Sequence, residues 1–248
     1  DHPERIAHYF PTTKSIQLLK KLLDGNKSTS CFVVAPYGSG KSLLGSFYMH
    51  VIENKPQANA VLKPVMDRLK PIDKVCHKSI RLRSKNGLKG IAVPLNGFIE
   101  NVPQAIHKGI KDSLVRIDEP HILQVVSEQS VETLDDLIEL LSMIRNTFGG
   151  ENIDHLDIIW DEFGRHLEEL VSRGDAQRMN ELQTLSEFAT RSKKLSMSLV
   201  LFLHQSLMRY ASNVPRAITD EWKKIEARFE TVQYIDDSKE ITLLASRV

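Results

Sequence analysis

The stretch SCFVVAPYGSGKSLLGSFYMHVIEN, residues 30 to 54, decides how the rest of the chain is read. Its opening, SCFVVA (30–35), is a short apolar run rich in β-branched residues and suits a strand buried on both faces. Its close, LLGSFYMHVIEN (43–54), reads as a helix that ends before Pro56. Between them lies APYGSGKS (35–42), whose chemistry is that of an anion cradle. Gly38 and Gly40 permit a tight turn and let backbone N–H groups approach a phosphate chain closely, and the following helix adds its positive end. Lys41 supplies a cation for β and γ phosphates, and Ser42 a hydroxyl for Mg²⁺. Pro36, Tyr37, Ser39 and Leu43 complete the expected phosphate-binding segment. Ala35 stands where the usual pattern begins with glycine, a change that a negative φ at that position tolerates.

Working outward, four more runs have strand character: GIAVPLNG (90–97), LDIIWDE (156–162), SMSLVLFLHQS (196–206) and TVQYID (231–236). Pro94 limits the first of these to its opening residues or demands a sheet edge. Helical patterns cover 14–24, with Gly25 and Asn26 as a stop, then 103–116, and 131–147 closed by Gly149 and Gly150. Further helices are expected in FGRHLEEL (163–170), 178–193 and 221–229. Residues 55–89, punctuated by Pro56, Pro64 and Pro71, read as an insertion holding at most a helical piece in VLKPVMDRL. Five strands separated by helices predict an α/β three-layer sandwich, with a mostly parallel sheet covered on both faces. ITLLASRV (241–248) reads as the start of an element that the sequence does not finish, so the chain looks like a piece of a larger protein.

IIWDE (158–162) puts Asp161 and Glu162 at the C-terminal end of a buried strand, the sheet edge where open α/β folds bind ligands. Asp161 suits the Mg²⁺ shell and Glu162 the polarising of an attacking water. Arg165 and His166 follow near the mouth of that site, with His166 expected to face solvent. SLVLFLHQS runs from apolar residues to His204 and Gln205, which form a pair able to reach the γ-phosphate or the water. Gln205 leads on chemistry, because a neutral amide both accepts and donates. Arg209, Arg216 and Arg228 are candidates for an arginine acting on a neighbouring subunit's nucleotide, with Arg228 equally suited to packing or pairing.

With 41 % hydrophobic and 26 % charged residues among 248, the chain is a globule and not a disordered tail, and it is taken as one domain over 1–248. Two cysteines, Cys31 and Cys76, exclude a disulfide scaffold. No apolar run is long enough for a transmembrane helix and no signal-peptide core opens the sequence, so no membrane partner and a cytoplasmic setting are expected. The net charge of +1 hides two blocks. Residues 63–89 carry nine Lys or Arg against two Asp, a balance of +7, and residues 128–169 carry twelve acids against two Arg, a balance of −10. Such a basic block binds polyanions or docks on an acidic face of its own protein. It has no interleaved aromatic residue for stacking single-stranded bases.

APYGSGKS, IIWDEFGRHLE (158–168) and LVLFLHQS (199–206), in that order, resemble the P-loop ATPases of the AAA+ and related STAND/ORC-like group, in the branch with an extra catalytic glutamate. The resemblance covers residues 12–240 and implies a sheet of order 5-1-4-3-2. It makes Lys41 and Ser42 the first nucleotide motif, Asp161 and Glu162 the second, and Gln205 or His204 the first sensor. It also implies ATP and Mg²⁺ as ligands, self-association or other subunits as partners, and an adenine pocket near Tyr9 to Thr12. The family's helical lid would begin near Leu243. The pairing of VVAPYGSGKS with WDEFGRHLE is further similar to large ATPases of bacterial anti-phage defence systems of the BREX type. Two functions follow. One is an ATP-driven motor acting on double-stranded DNA through residues 63–89. The other is a nucleotide-controlled switch that assembles partner proteins. A small-molecule kinase would leave Glu162 without its role, and no guanine-reading Asn/Thr-Lys-x-Asp motif is present.

Overall fold

The computed structural model describes residues 3–24, 28–150, 153–192 and 195–234. In chain order the elements are α1 (Pro3–Ile6), α2 (Thr13–Leu22), β1 (Ser30–Val34), α3 (Lys41–Glu53), α4 (Ala58–Ile72), α5 (Lys74–Lys85) and β2 (Lys89–Asn96). Then come α6 (Val102–Arg116), α7 (Pro120–Ser127), α8 (Leu134–Thr147), β3 (Ile153–Asp161), α9 (Phe163–Ser172) and α10 (Asn180–Thr190). The chain continues with β4 (Ser196–Leu203), α11 (Leu207–Tyr210), α12 (Arg216–Glu226) and β5 (Glu230–Gln233).

The five strands form one sheet of order β2-β3-β4-β1-β5, and every pairing is parallel. This is the order 5-1-4-3-2 that the resemblance implies. Right-handed crossovers then sort the helices. The chain leaves β1 across one face to reach the far edge at β2, and returns through β3, β4 and β5 across the other. The side chains of β1 follow suit, with period 2: Cys31 and Val33 join the core under α1–α5, while Phe32 and Val34 join the core under α6–α12. Helices on successive connections therefore diverge between β1 and β4, the switch point at which such sheets hold ligands.

β2 is an edge strand, which is what Pro94 within it requires. Local caps match the sequence: Thr12 and Ser15 form a reciprocal capping box on α2, and Thr133 and Asp136 form another on α8. Residues 55–89 depart from expectation, being two regular helices joined by Asp73 alone, with Pro64 and Pro71 inside α4. Burial outweighs the proline penalty. Leu62, Val65 and Leu69 of α4 and Cys76 and Ile80 of α5 enter the same core as α2 and α3. The reading of Gly25 and Asn26 as a helix stop and of residues 241–248 as an unfinished element, like the expected lid, lies outside the described residues. No described helix is long and apolar enough to cross a membrane.

Candidate functional site

The loop between β1 and α3 turns through two left-handed residues, Gly38 (φ +75°) and Gly40 (φ +82°). A Cβ built on either meets nothing within 4 Å. The glycines are thus needed for backbone direction, and the space above them is open. Helix α3 starts at Lys41, so the N–H groups of its first turn have no partner within the helix and face the loop's concavity.

Lys41 is only 5 % exposed. Its ammonium donates to the carbonyls of Ala35 (2.6 Å) and Pro36 (2.7 Å), and lies 3.4 Å from His204 Nδ1. A lysine has only donors, so a hydrogen bond between the two uses His204 Nδ1 in its unprotonated form. Burial lowers the Lys41 pKa, and the nearby Asp161 carboxylate works against that. His204 is pushed down by burial and by Lys41, against the pull of Glu162 and Asp161, and so is neutral at pH 7. Its ring stacks on Tyr37 at 3.5 Å between centroids. Tyr37 is 72 % exposed, a large ring held at the surface by this contact.

Asp161 ends β3, opposite Asn96 at the end of β2. Its Oδ1 accepts from the Glu162 amide at 2.8 Å. Glu162 itself has φ 50°, ψ 35°, a left-handed conformation that is costly for a residue with a Cβ. This sharp strand-to-helix turn aims its carboxylate outward, where Arg165 Nη1 lies 3.1 Å away. Gly164 lets α9 approach Tyr210: a Cβ there would lie 2.3 Å from the Tyr210 oxygen. That hydroxyl lies beside the backbone of His204 and Gln205, which opposes the upward push of burial on its pKa, so Tyr210 sits between the end of β4 and the start of α9.

The structure thus brings together Lys41, Asp161, Glu162 and His204 at the C-terminal ends of three adjacent strands, β1, β4 and β3. The contact with Lys41 is made by His204, not by Gln205. His166 corrects the sequence reading. It is buried between Trp160, Phe98 and Phe163, and its Nδ1 accepts from the Ile99 amide at 3.3 Å. Burial, with help from Arg178, pushes its pKa down to about 4. Tyr9 packs on Phe47 and Thr12 caps α2, which gives both a structural task in the segment expected to hold adenine. Arg228 pairs with Glu187, whereas Arg209 and Arg216 are exposed. The stacking of Tyr37, the Glu162–Arg165 pair and the place of Tyr210 between β4 and α9 were missed by the sequence reading. Gly164 directly after Asp161–Glu162–Phe163 was the one available signal, since an early-helix glycine often marks a close approach.

A parallel five-stranded sheet of this order, with a glycine-bearing loop at its switch point, defines a P-loop NTPase-like α/β fold. No family model and no curated protein matches the chain. Among solved structures it is similar to one described as the ORC2 protein of Aeropyrum pernix in ADPNP–ADP complexes, with 18 % identity and a TM-score of 0.45. The match covers 92 % of this chain and 50 % of that one, so the chain spans about half the length of the structure it resembles.

Proposed function

We propose that the chain is the ATP-binding and Mg²⁺-dependent hydrolysing module of a larger DNA-associated protein, of the kind that anti-phage defence machines use. The observation that carries this reading is the convergence of Lys41, Asp161, Glu162 and neutral His204 around an open, glycine-turned loop at the switch point. The residues fit the ligands. Ser42 and Asp161 offer a hydroxyl and a carboxylate, the oxygen donors that Mg²⁺ takes alongside phosphates and waters. When bound, that ion would neutralise charge on the β and γ phosphates.

The first-turn amides of α3 hold the phosphate chain, and Lys41 exchanges its two carbonyl partners for phosphate oxygens. Glu162 accepts a proton as water attacks the γ-phosphorus; a P–O bond forms, the bond to the bridging oxygen breaks, and ADP leaves. His204 follows the state of the γ-phosphate from beside Lys41, and Arg209 or Arg216 is available to a neighbouring copy. The test is ATP turnover by the parent protein, with and without duplex DNA, beside Glu162→Gln. A general base is worth about 10²–10⁴-fold, so turnover falls by that factor while ATP binding survives. Equal turnover in the variant would remove Glu162 from this role. Turnover indifferent to DNA would move the protein to a switch that assembles partners.

A further inference from the structure

The sequence's basic block does not act as a unit in the fold. Arg83 is buried and bridges Asp154 with both guanidinium nitrogens, at 2.5 and 2.7 Å, so it docks on the acidic block of its own chain. Lys89 is held by Glu119 and the Ile117 carbonyl. Arg68 is taken by the carbonyls of Ala7 and Tyr9 and lies over the Phe10 ring. The remaining cations divide by their place along the helices. Lys63 and Lys70 of α4, Arg81 and Lys85 of α5, and Lys55 just past α3 line one cavity of about 450 Å³. Lys74 and Lys78 stand on the same stripe of α5 but nearer its start, exposed and outside the lining of the cavity.

Four of the five lining cations, all but Lys55, have no ion-pair partner among the described residues, and the only acid in the lining is Asp67. The field there is accordingly positive: the pKa of His77, in the same wall, is lowered by burial and then by Arg81 and Lys70. The floor is apolar, formed by Val51, Leu62, Met66 and Ile80. Asn54, Asn59 and Ser84 add neutral hydrogen-bonding groups. The lining holds no Phe, Tyr or Trp among the described residues, and its charge is suited to phosphates more than to bases. Lys63 and Lys70 are one heptad apart, roughly 10 Å along the helix, a length over which one DNA strand presents about three phosphates. The groove sits at the C-terminal end of α3, about 20 Å from Lys41 at its start.

We infer that this groove, and not the basic segment as a whole, is where the phosphate backbone of double-stranded DNA docks. The inference rests on the DNA-associated part of the proposed function and is independent of ATP hydrolysis. Its recognition is sequence-independent, because every contributing group is a cation or a small donor.

The experiment compares two charge-matched variants of one helix in the full chain, Arg81→Gln with Lys85→Gln in the groove and Lys74→Gln with Lys78→Gln outside it. Anisotropy titrations with a labelled mixed-sequence duplex, repeated across salt concentrations, give affinity and salt slope. Each lost phosphate contact lowers the slope by about 0.9 and the affinity at 0.1 M salt by about 8-fold. The groove pair is expected to lose on the order of 60-fold and the outer pair to bind like the parent, with urea midpoints and DNA-free ATP turnover unchanged in both. Equal losses in the two variants would overturn the groove as the site. A parent chain that hydrolyses ATP but binds no duplex would overturn DNA as the occupant and leave the hydrolysis reading standing. One that binds duplex through the groove without hydrolysing ATP would do the reverse.

Discussion

Glu162 offers a prediction in which stability and activity separate. Its φ of 50° and ψ of 35° place a side-chain-bearing residue in the left-handed region, which costs roughly 1–2 kcal/mol. Glu162→Ala retains the Cβ and hence the strain; Glu162→Gly removes it. Both lose the ion pair with Arg165, and that loss cancels in the comparison. Glycine's additional freedom in the unfolded chain returns roughly 0.5–1 kcal/mol of the gain. The glycine variant should therefore be the more stable of the two by about 0.5–1 kcal/mol. At an ordinary helical position the order is reversed, with glycine worse by about 1 kcal/mol. For a chain of 248 residues 1 kcal/mol corresponds to about 2 °C in Tm, so urea midpoints are the better assay. On the proposed function, both variants are expected to lose ATP turnover by about 10²–10⁴-fold. An alanine variant more stable than the glycine variant by about 1 kcal/mol would refute the strained turn, and with it the argument that the fold sacrifices stability to aim this carboxylate.

Gly164→Ala places a methyl 2.3 Å from the Tyr210 oxygen and 2.8 Å from its ring, an overpacking cost of about 1–3 kcal/mol that should nearly vanish in a Tyr210→Ala background; additive losses in urea melts would contradict the contact. His166, with a folded pKa of about 4 against 6.5, leaves the unfolded chain to take up the proton first as pH falls. Its contribution is therefore complete above pH 6.5 and lost on acidification towards 4, up to about 3 kcal/mol, and His166→Gln should flatten that part of the stability profile. A wild-type profile already flat between those values would show that the imidazole is not held neutral. Arg165→Ala frees Glu162 from a partner that is itself 63 % exposed, so the restraint is worth no more than about 1 kcal/mol and basal turnover should rise at most about 5-fold; a fall would mean that Arg165 assists the reaction.

The glycine loop after β1, the acids at the end of β3 and the polar end of β4 were legible because each places reactive residue types directly after an apolar run, and the run alone fixes which sheet edge they reach. The edge position of β2 was legible from Pro94. Helix α4 was legible only as a piece in VLKPVMDRL and α5 not at all, because prolines at 56, 64 and 71 mask a 3- and 4-residue spacing of Leu62, Val65 and Leu69 that only a packing partner rewards. The burial of His166 was within reach: Phe163, His166, Leu167 and Leu170 share one helical face, so the histidine lies on the apolar side of α9. The contacts that define the resting site were beyond any pattern. Tyr37 on His204 and Lys41 beside His204 join residues more than 160 positions apart, and they depend on β1 and β4 becoming neighbours.

That neighbour relation also explains how the parts depend on one another. Lys41 and Glu162 are both engaged by their own chain in this structure, the lysine by two loop carbonyls and the glutamate by Arg165. A phosphate chain entering the loop competes for the lysine with two neutral carbonyl acceptors, and a charged phosphate oxygen offers the stronger bond. Movement of Lys41 takes away the cation that helps keep His204 neutral and alters what Tyr37 stacks against. The backbone of His204 and Gln205 in turn lies beside the Tyr210 hydroxyl, which abuts the start of α9 behind Glu162. The links run from Lys41 through His204 and Tyr210 to the turn that carries Glu162. Occupancy of the loop and the posture of the glutamate are for that reason expected to change together, and a Tyr210→Phe variant, which keeps the ring and removes only the hydroxyl oxygen, is the substitution that would uncouple them.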